Sequence, residues 1–157
     1  MAGSTYEKIA TTTASGGETS VTLSSIPATY TDLVLIVSGG NSAQTDLKVR
    51  FNSDTNTNYS NTVLYSDGST TSQFRESNVT FCSLQFASSG TNIITINNYS
   101  NTTTYKSILS RINVTPYVMA IASLYRSTSA INSVTCFVTS GSYSAGTTFT
   151  LYGIKAE

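Results

Sequence analysis

The chain is predicted to be all-β: a jelly-roll-like two-sheet β-sandwich of about eight to ten antiparallel strands. Three observations carry this. Apolar residues recur with a period of two, and no window sustains the i, i+3, i+4, i+7 spacing of an amphipathic helix over three turns. Short apolar runs are separated by clusters of Gly, Asn, Asp and Ser, the residues that favour turns. The composition also suits strands, with 10 Tyr, 6 Phe, abundant Val, Ile and Thr, and Pro only at Pro27 and Pro116. Disordered chains lack such aromatic and β-branched residues. The 157 residues read as one domain, 1–157, with residues 1–5 as a flexible N-terminal arm.

The strands follow in order. Tyr6 to Thr13 opens the chain, and a Gly16-Gly17 turn leads to Thr19 to Leu23. Ser24-Ser25-Ile26-Pro27 ends that strand, because Pro27 has no N–H for a central ladder. Asp32 to Val37 holds Leu33-Val34-Leu35-Ile36-Val37, apolar on both faces and therefore expected to be the most buried. Leu47 to Phe51 turns Leu47, Val49 and Phe51 inward and Lys48 and Arg50 outward. A polar loop from Asn52 to Asn58 precedes a short strand, Thr62 to Tyr65, which ends at the Asp67-Gly68 turn. Asn78 to Phe86 is expected as one strand, with Val79, Phe81 and Ser83 opposite Cys82, Leu84 and Phe86. Ile93 to Asn97 and Tyr105 to Ile112 are joined by a polar tip from Asn98 to Thr104. Tyr117 to Tyr125, Ile131 to Thr139 and Thr147 to Lys155 complete the set, the last two joined by the glycine-bearing loop Ser140 to Gly146. Both polar connections, Asn52 to Asn61 and Asn98 to Thr104, are expected at the surface.

Composition excludes much chemistry. There is no histidine, so no Ser-His-Asp triad, Cys-His pair or imidazole metal site is possible. The eight Lys and Arg are scattered singly and balanced by eight Asp and Glu, which argues against a nucleic-acid partner. Apolar runs such as the five residues from Leu33 to Val37 fall far short of the roughly 20 that span a membrane. Met1-Ala2-Gly3-Ser4-Thr5 has neither the basic nor the apolar region of a secretory signal.

Candidate sites are few. Asp54-Thr55-Asn56-Thr57-Asn58 alternates oxygen ligands as a calcium loop does at its start. Its sixth position is Tyr59 rather than Gly and its twelfth is Tyr65 rather than Glu, so an ordered Asx-rich loop is expected instead and no metal site is assigned. Cys82 and Cys136 read as reduced, buried small hydrophobes, although spacing does not decide whether they pair. The five Asn-x-Ser/Thr sequons are what 53 Ser and Thr beside 12 Asn produce by chance. No two carboxylates are singled out as an acid–base pair, and no Ser-x-x-Lys occurs. No catalytic residue and no cofactor are therefore expected.

Tyrosine stands out. Tyr30, Tyr59, Tyr99, Tyr117 and Tyr143 fall in loops or at strand ends, among Ser, Asn and Gly. Such residues make an adaptable binding surface, or else pack across the sandwich mouth with the hydroxyl wet. Tyr59, Tyr99 and Tyr143 mark the candidate surface-binding loops.

Tyr6-Glu7-Lys8-Ile9-Ala10, Ser24-Ser25-Ile26-Pro27-Ala28-Thr29-Tyr30-Thr31-Asp32-Leu33-Val34-Leu35, Arg50-Phe51-Asn52 with Asn58-Tyr59-Ser60, and Phe149-Thr150-Leu151-Tyr152-Gly153-Ile154-Lys155 resemble a family of small virion proteins of tailed bacteriophages, especially phages of cyanobacteria and other aquatic bacteria. The resemblance implies a non-enzymatic virion structural protein, first a capsid decoration protein on the outer head surface. The alternative is a tail-fibre or receptor-binding module touching host surface glycans through the Tyr-rich loops. A secreted carbohydrate-binding module fits less well, without Trp or a secretion signal. The implied location is the virion, after synthesis in the host cytoplasm without secretion. The implied partners are the major capsid protein or other virion proteins, and the chain itself as a homo-oligomer. Few charges and two prolines are available to blunt open sheet edges, which favours self-association. The expected homo-oligomer is a trimer, and the number three comes from the resemblance.

Overall fold

The computed structural model describes residues 5–43, 46–84 and 89–155. Among them there are twelve strands and no helix. In chain order these are β1 (Tyr6–Thr13), β2 (Ser20–Leu23), β3 (Asp32–Gly39), β4 (Leu47–Phe51), β5 (Tyr59–Ser66), β6 (Thr71–Val79), β7 (Cys82–Ser83), β8 (Gly90–Asn97), β9 (Lys106–Val114), β10 (Tyr117–Tyr125), β11 (Val134–Val138) and β12 (Thr148–Ile154). They form two antiparallel sheets facing each other, a two-sheet β-sandwich as the alternation predicts.

One sheet has eight strands in the order β1-β12-β3-β8-β9-β10-β5-β6, and the other has four, β2-β11-β4-β7. The quartets β1-β12-β3-β8 and β2-β11-β4-β7 make the two halves of a jelly roll. Two hairpins are spliced into it. β5-β6 follows β4, β9-β10 follows β8, and together they widen the larger sheet by four strands. This widening creates the surface described below.

The core lies between the sheets. Leu33, Leu35 and Val37 of β3, Ile94 and Ile96 of β8, Ile108 and Ile112 of β9 and Ile121 of β10 meet Val21, Leu23, Val49, Phe51, Val134 and Cys136 of the smaller sheet. Each fully buried aliphatic side chain of this kind contributes about 1.5–3 kcal/mol. On β4, Leu47, Val49 and Phe51 point inward as expected, while Lys48 and Arg50 stack on aromatic rings, Lys48 over Phe81 at 4.5 Å and Arg50 over Phe137 at 4.2 Å. Cys82 and Cys136 are free and buried, and burial pushes both thiols up to about 12.

Three expectations change. Asn78 to Phe86 is not one strand. The chain leaves the larger sheet after Val79 and joins the smaller one at Cys82, so Cys82, Ser83 and Leu84 are all buried and do not alternate. Phe86 lies outside the described residues. The strand expected at Thr62 to Tyr65 begins at Tyr59 and ends at Ser66. β6 was not foreseen: it is an edge strand, wet on both faces, and Thr71-Ser72-Gln73-Phe74-Arg75-Glu76-Ser77 carries no apolar alternation to read. As for the expected arm, residues 1–4 lie outside the described residues, and the Thr5 carbonyl accepts the Lys155 amide at 3.2 Å.

Candidate assembly surface

The three tyrosines expected to present surface loops do not reach solvent. Tyr59 and Tyr99 are 0% exposed and Tyr143 is 1% exposed. Tyr59 Oη accepts the Phe51 amide at 3.1 Å. Tyr99 Oη donates to the Pro27 carbonyl and accepts the Tyr30 amide at 3.3 Å. Tyr143 packs edge-on against Phe149, with ring centroids 4.8 Å apart. Burial raises the hydroxyl pKa of all three above the ordinary phenol range. The physical reason is that a polar loop needs an anchor. Each ring buries apolar area, and the hydroxyls of Tyr59 and Tyr99 also meet backbone groups of neighbouring segments. All three rings pack within the core cluster. Of the other two tyrosines, Tyr117 is exposed and Tyr30 half-buried.

The loop at 52–58 is ordered in the Asx manner. Asp54 Oδ1 accepts from the Asn56 amide at 2.9 Å and Asn56 Nδ2 at 2.8 Å, and Oδ2 accepts from Asn58 Nδ2 at 2.8 Å and Tyr125 Oη at 3.1 Å. Four protein donors occupy the carboxylate. Next to it, Asn61 joins the two sheets. Its Oδ1 accepts from the Ser83 amide at 3.1 Å and Ser123 Oγ at 2.7 Å, and its Nδ2 donates to Glu76 Oε2 at 2.9 Å. These polar groups are bonded to one another and to the backbone around them.

The unexplained feature lies on the outer face of the larger sheet. The ladder registers set its side chains in rows that cross β8, β9, β10, β5 and β6. One row reads Thr91, Asn113, Val118, Ser66, Thr71, and the next reads Ile93, Arg111, Ala120, Leu64, Gln73. A third reads Thr95, Leu109, Ala122, Thr62, Arg75. Val118 is 68% exposed, Leu64 52% and Leu109 47%, and all three point away from the core. The small side chains of Ala120 and Ala122 sit between taller neighbours. Over Ala120 this leaves a groove of about 750 Å³, bounded by Leu64, Ile93, Arg111 and Val118. Arg111 has no ion-pair or hydrogen-bond partner among the described residues.

No protein-family model matches this chain, and neither does any curated protein sequence. The function is therefore argued from this surface and the residues around it. Contiguous exposed apolar side chains of this extent mark sites of association on otherwise polar proteins. Here they stand on a rigid sheet, with one cation in the groove and hydroxyls at the rim. That arrangement suits contact with another protein surface. The sequence carried one usable signal for it, the alternation in Val118, Ala120, Ala122 and Leu124, which has apolar residues on both faces of β10.

Proposed function

We propose that this chain is a non-enzymatic structural protein of a tailed-phage virion, in the first instance a decoration protein of the outer head surface. The observation that carries the reading is the cluster of exposed apolar side chains, Val118, Leu64 and Leu109, that stands among hydroxyls and amides on the outer face of β8, β9, β10, β5 and β6. It is a surface built for packing, on a fold whose polar clusters are taken up internally. The phage context comes from the sequence resemblance. A hydroxyl-rich rim suits an assembly whose contacts depend little on salt, since few charges are there to be screened. The partners in this reading are the major capsid protein or other virion proteins, together with further copies of the chain.

The test is a cryo-electron microscopy map of the particle that carries this protein. Density on the outer head shell, with this sheet face covered, is the expected result. Density at the tail would favour the receptor-binding alternative, and absence from the particle would overturn both readings. The glycan-binding alternative is weakened because Tyr59, Tyr99 and Tyr143 are interior.

A further inference from the structure

We propose that the outer face of β8, β9, β10, β5 and β6 docks an acidic face of a different protein, whose carboxylates meet Arg75, Arg111 and Arg126. The proposal rests on reading that face as an assembly surface, and it names the chemistry of the occupant.

The sheet gathers charges that the sequence scatters. The chain has four arginines, and all but Arg50 stand on this face. Arg111 is outward on β9, Arg75 is outward on β6, and Arg126 directly follows β10. Arg111 and Arg75 lie three strands and one row apart, about 16 Å. Arg75 and Arg126 border one depression of about 560 Å³, lined also by Ala122, Leu124 and the Ser60 and Thr62 hydroxyls. No carboxylate stands in the rows that cross these five strands. Arg75, like Arg111, has no ion-pair or hydrogen-bond partner among the described residues. Arg126 is held, but by neutral oxygens: Nη1 donates to Ser60 Oγ, and Nη2 donates to the Thr57 carbonyl at 2.8 Å and to Asn78 Oδ1 at 3.1 Å. Those bonds fix the guanidinium and leave its charge unbalanced.

A second copy offers no matching face. The outward side of the smaller sheet carries Lys48 and Arg50. The chain's own carboxylates are dispersed: Glu7 and Asp46 pair with Lys155 and Lys48, Glu18 and Asp67 accept from their own turns, and Glu76 is bonded to Ser83. The counter-charges therefore come from another molecule. Leu64, Leu109, Val118 and Leu124, each more than a third exposed, stand among the arginines. A protein face supplies carboxylates and aliphatic cover together, whereas a nucleic acid or an acidic polysaccharide supplies mainly anions. A mostly polar surface with a few apolar anchors and enriched arginine is the composition of a non-obligate protein interface.

The area suffices. Five strands about 4.8 Å apart, with four outward rows about 7 Å apart, cover on the order of 650 Å². A partner that spans all four rows then buries about 1,300 Å² in total, within the roughly 1,200–2,000 Å² of stable interfaces. Three charges are few for that area. They set which partner docks, and in what register, more than how tightly it holds.

An NMR titration of the isotope-labelled chain at low salt tests this. The probes are a random Glu/Leu copolymer, a Lys/Leu copolymer, polygalacturonate and duplex DNA. The expected result is that the Glu/Leu copolymer shifts the Arg75 and Arg111 Nε–H signals and the β10 amides, and binds more tightly than the other three. Its affinity should fall about tenfold in the Arg75→Glu/Arg111→Glu double variant. It should hold in Lys8→Glu, an exposed site on β1 at the far edge of the same sheet. Circular dichroism checks each fold. If the double variant misfolds, Arg75→Gln/Arg111→Gln and the wild-type signals decide. An affinity unchanged in the double variant, an equal loss in Lys8→Glu, tighter binding of polygalacturonate or DNA, or shifts confined to other surfaces would overturn the proposal. The titration needs no particle, so its failure leaves the virion reading to the particle map.

Discussion

Tyr59 and Tyr125 lie directly opposite each other on β5 and β10 and stack with ring centroids 4.7 Å apart and planes 20° apart. Phe51 of the smaller sheet tilts against Tyr125 at 5.4 Å and lies beside Tyr59 at 6.3 Å, so the trio bridges the two layers. Above it, Tyr125 Oη donates to Asp54 Oδ2 and ties the 52–58 loop to the sheet. A loop that looks solvated in sequence is thereby fixed by three buried rings.

The first prediction follows from that trio. Tyr59→Ala removes a buried ring and should cost about 3–5 kcal/mol. Tyr59→Phe keeps the ring but leaves the Phe51 amide without its acceptor, and should cost about 1–2 kcal/mol. Urea unfolding with an unchanged m-value measures both. A Tyr59→Ala loss below that of Tyr59→Phe would show that the ring does not seal the layer.

The second concerns acid. Glu18 accepts from Ser15 Oγ at 2.6 Å, the Ser15 amide at 2.9 Å and the Gly16 amide at 2.9 Å. These bonds, led by the Ser15 hydroxyl, lower its pKa from 4.5 to about 2. A depressed carboxylate favours the fold above its unfolded pKa and loses that contribution as pH falls through the folded value. Glu18 should therefore add to stability at neutral pH and lose its share between 4.5 and about 2. Carboxyl-carbon NMR titration should place its midpoint near the lower value in the wild type and higher in Ser15→Ala. A midpoint near 4.5 in the folded wild type would refute the three-donor turn.

The third uses the thiols. Burial pushes Cys82 and Cys136 up to about 12, so at pH 8 neither carries appreciable thiolate and neither is open to reagent. A thiol-reactive dye should label no cysteine in the native protein and both in denaturant. Rapid native labelling of either would mean that its strand opens locally.

What the sequence reveals depends on which side of a strand the core covers. The strands Leu47–Phe51 and Tyr117–Tyr125 have the ends that alternation predicts, because one side of each is fully buried. β6 escapes because an edge strand has no buried side to mark. The outer apolar face escapes for a different reason. It is assembled by pairing β10 with β5 and β8 with β9, and the first of these joins strands far apart in the chain. Periodicity within each strand sets which residues share a face, but not which strands stand side by side. The tyrosines were misplaced because polar neighbours signal a loop, and a loop does not say where its ring points.

The fourth prediction reverses the usual sign of a core mutation. Ser110 sits on the inner face of β9, directly between Ile94 of β8 and Ile121 of β10, and its hydroxyl is buried with no hydrogen-bond partner among the described residues. A buried hydroxyl with no partner carries its desolvation cost uncompensated, about 1–3 kcal/mol. Ser110→Ala removes that oxygen and leaves a cavity smaller than a methyl group. The transfer gain therefore outweighs the lost packing, and stability should rise by about 1 kcal/mol. Thermal and urea unfolding of the variant measure it, with Ser123→Ala as the contrast. Ser123 Oγ donates to Asn61 Oδ1 at 2.7 Å within the network that joins the sheets, so its loss should destabilise instead. If Ser110→Ala destabilises as much as Ser123→Ala, the Ser110 hydroxyl has a partner in solution, such as an internal water bridging it to a neighbouring polar group.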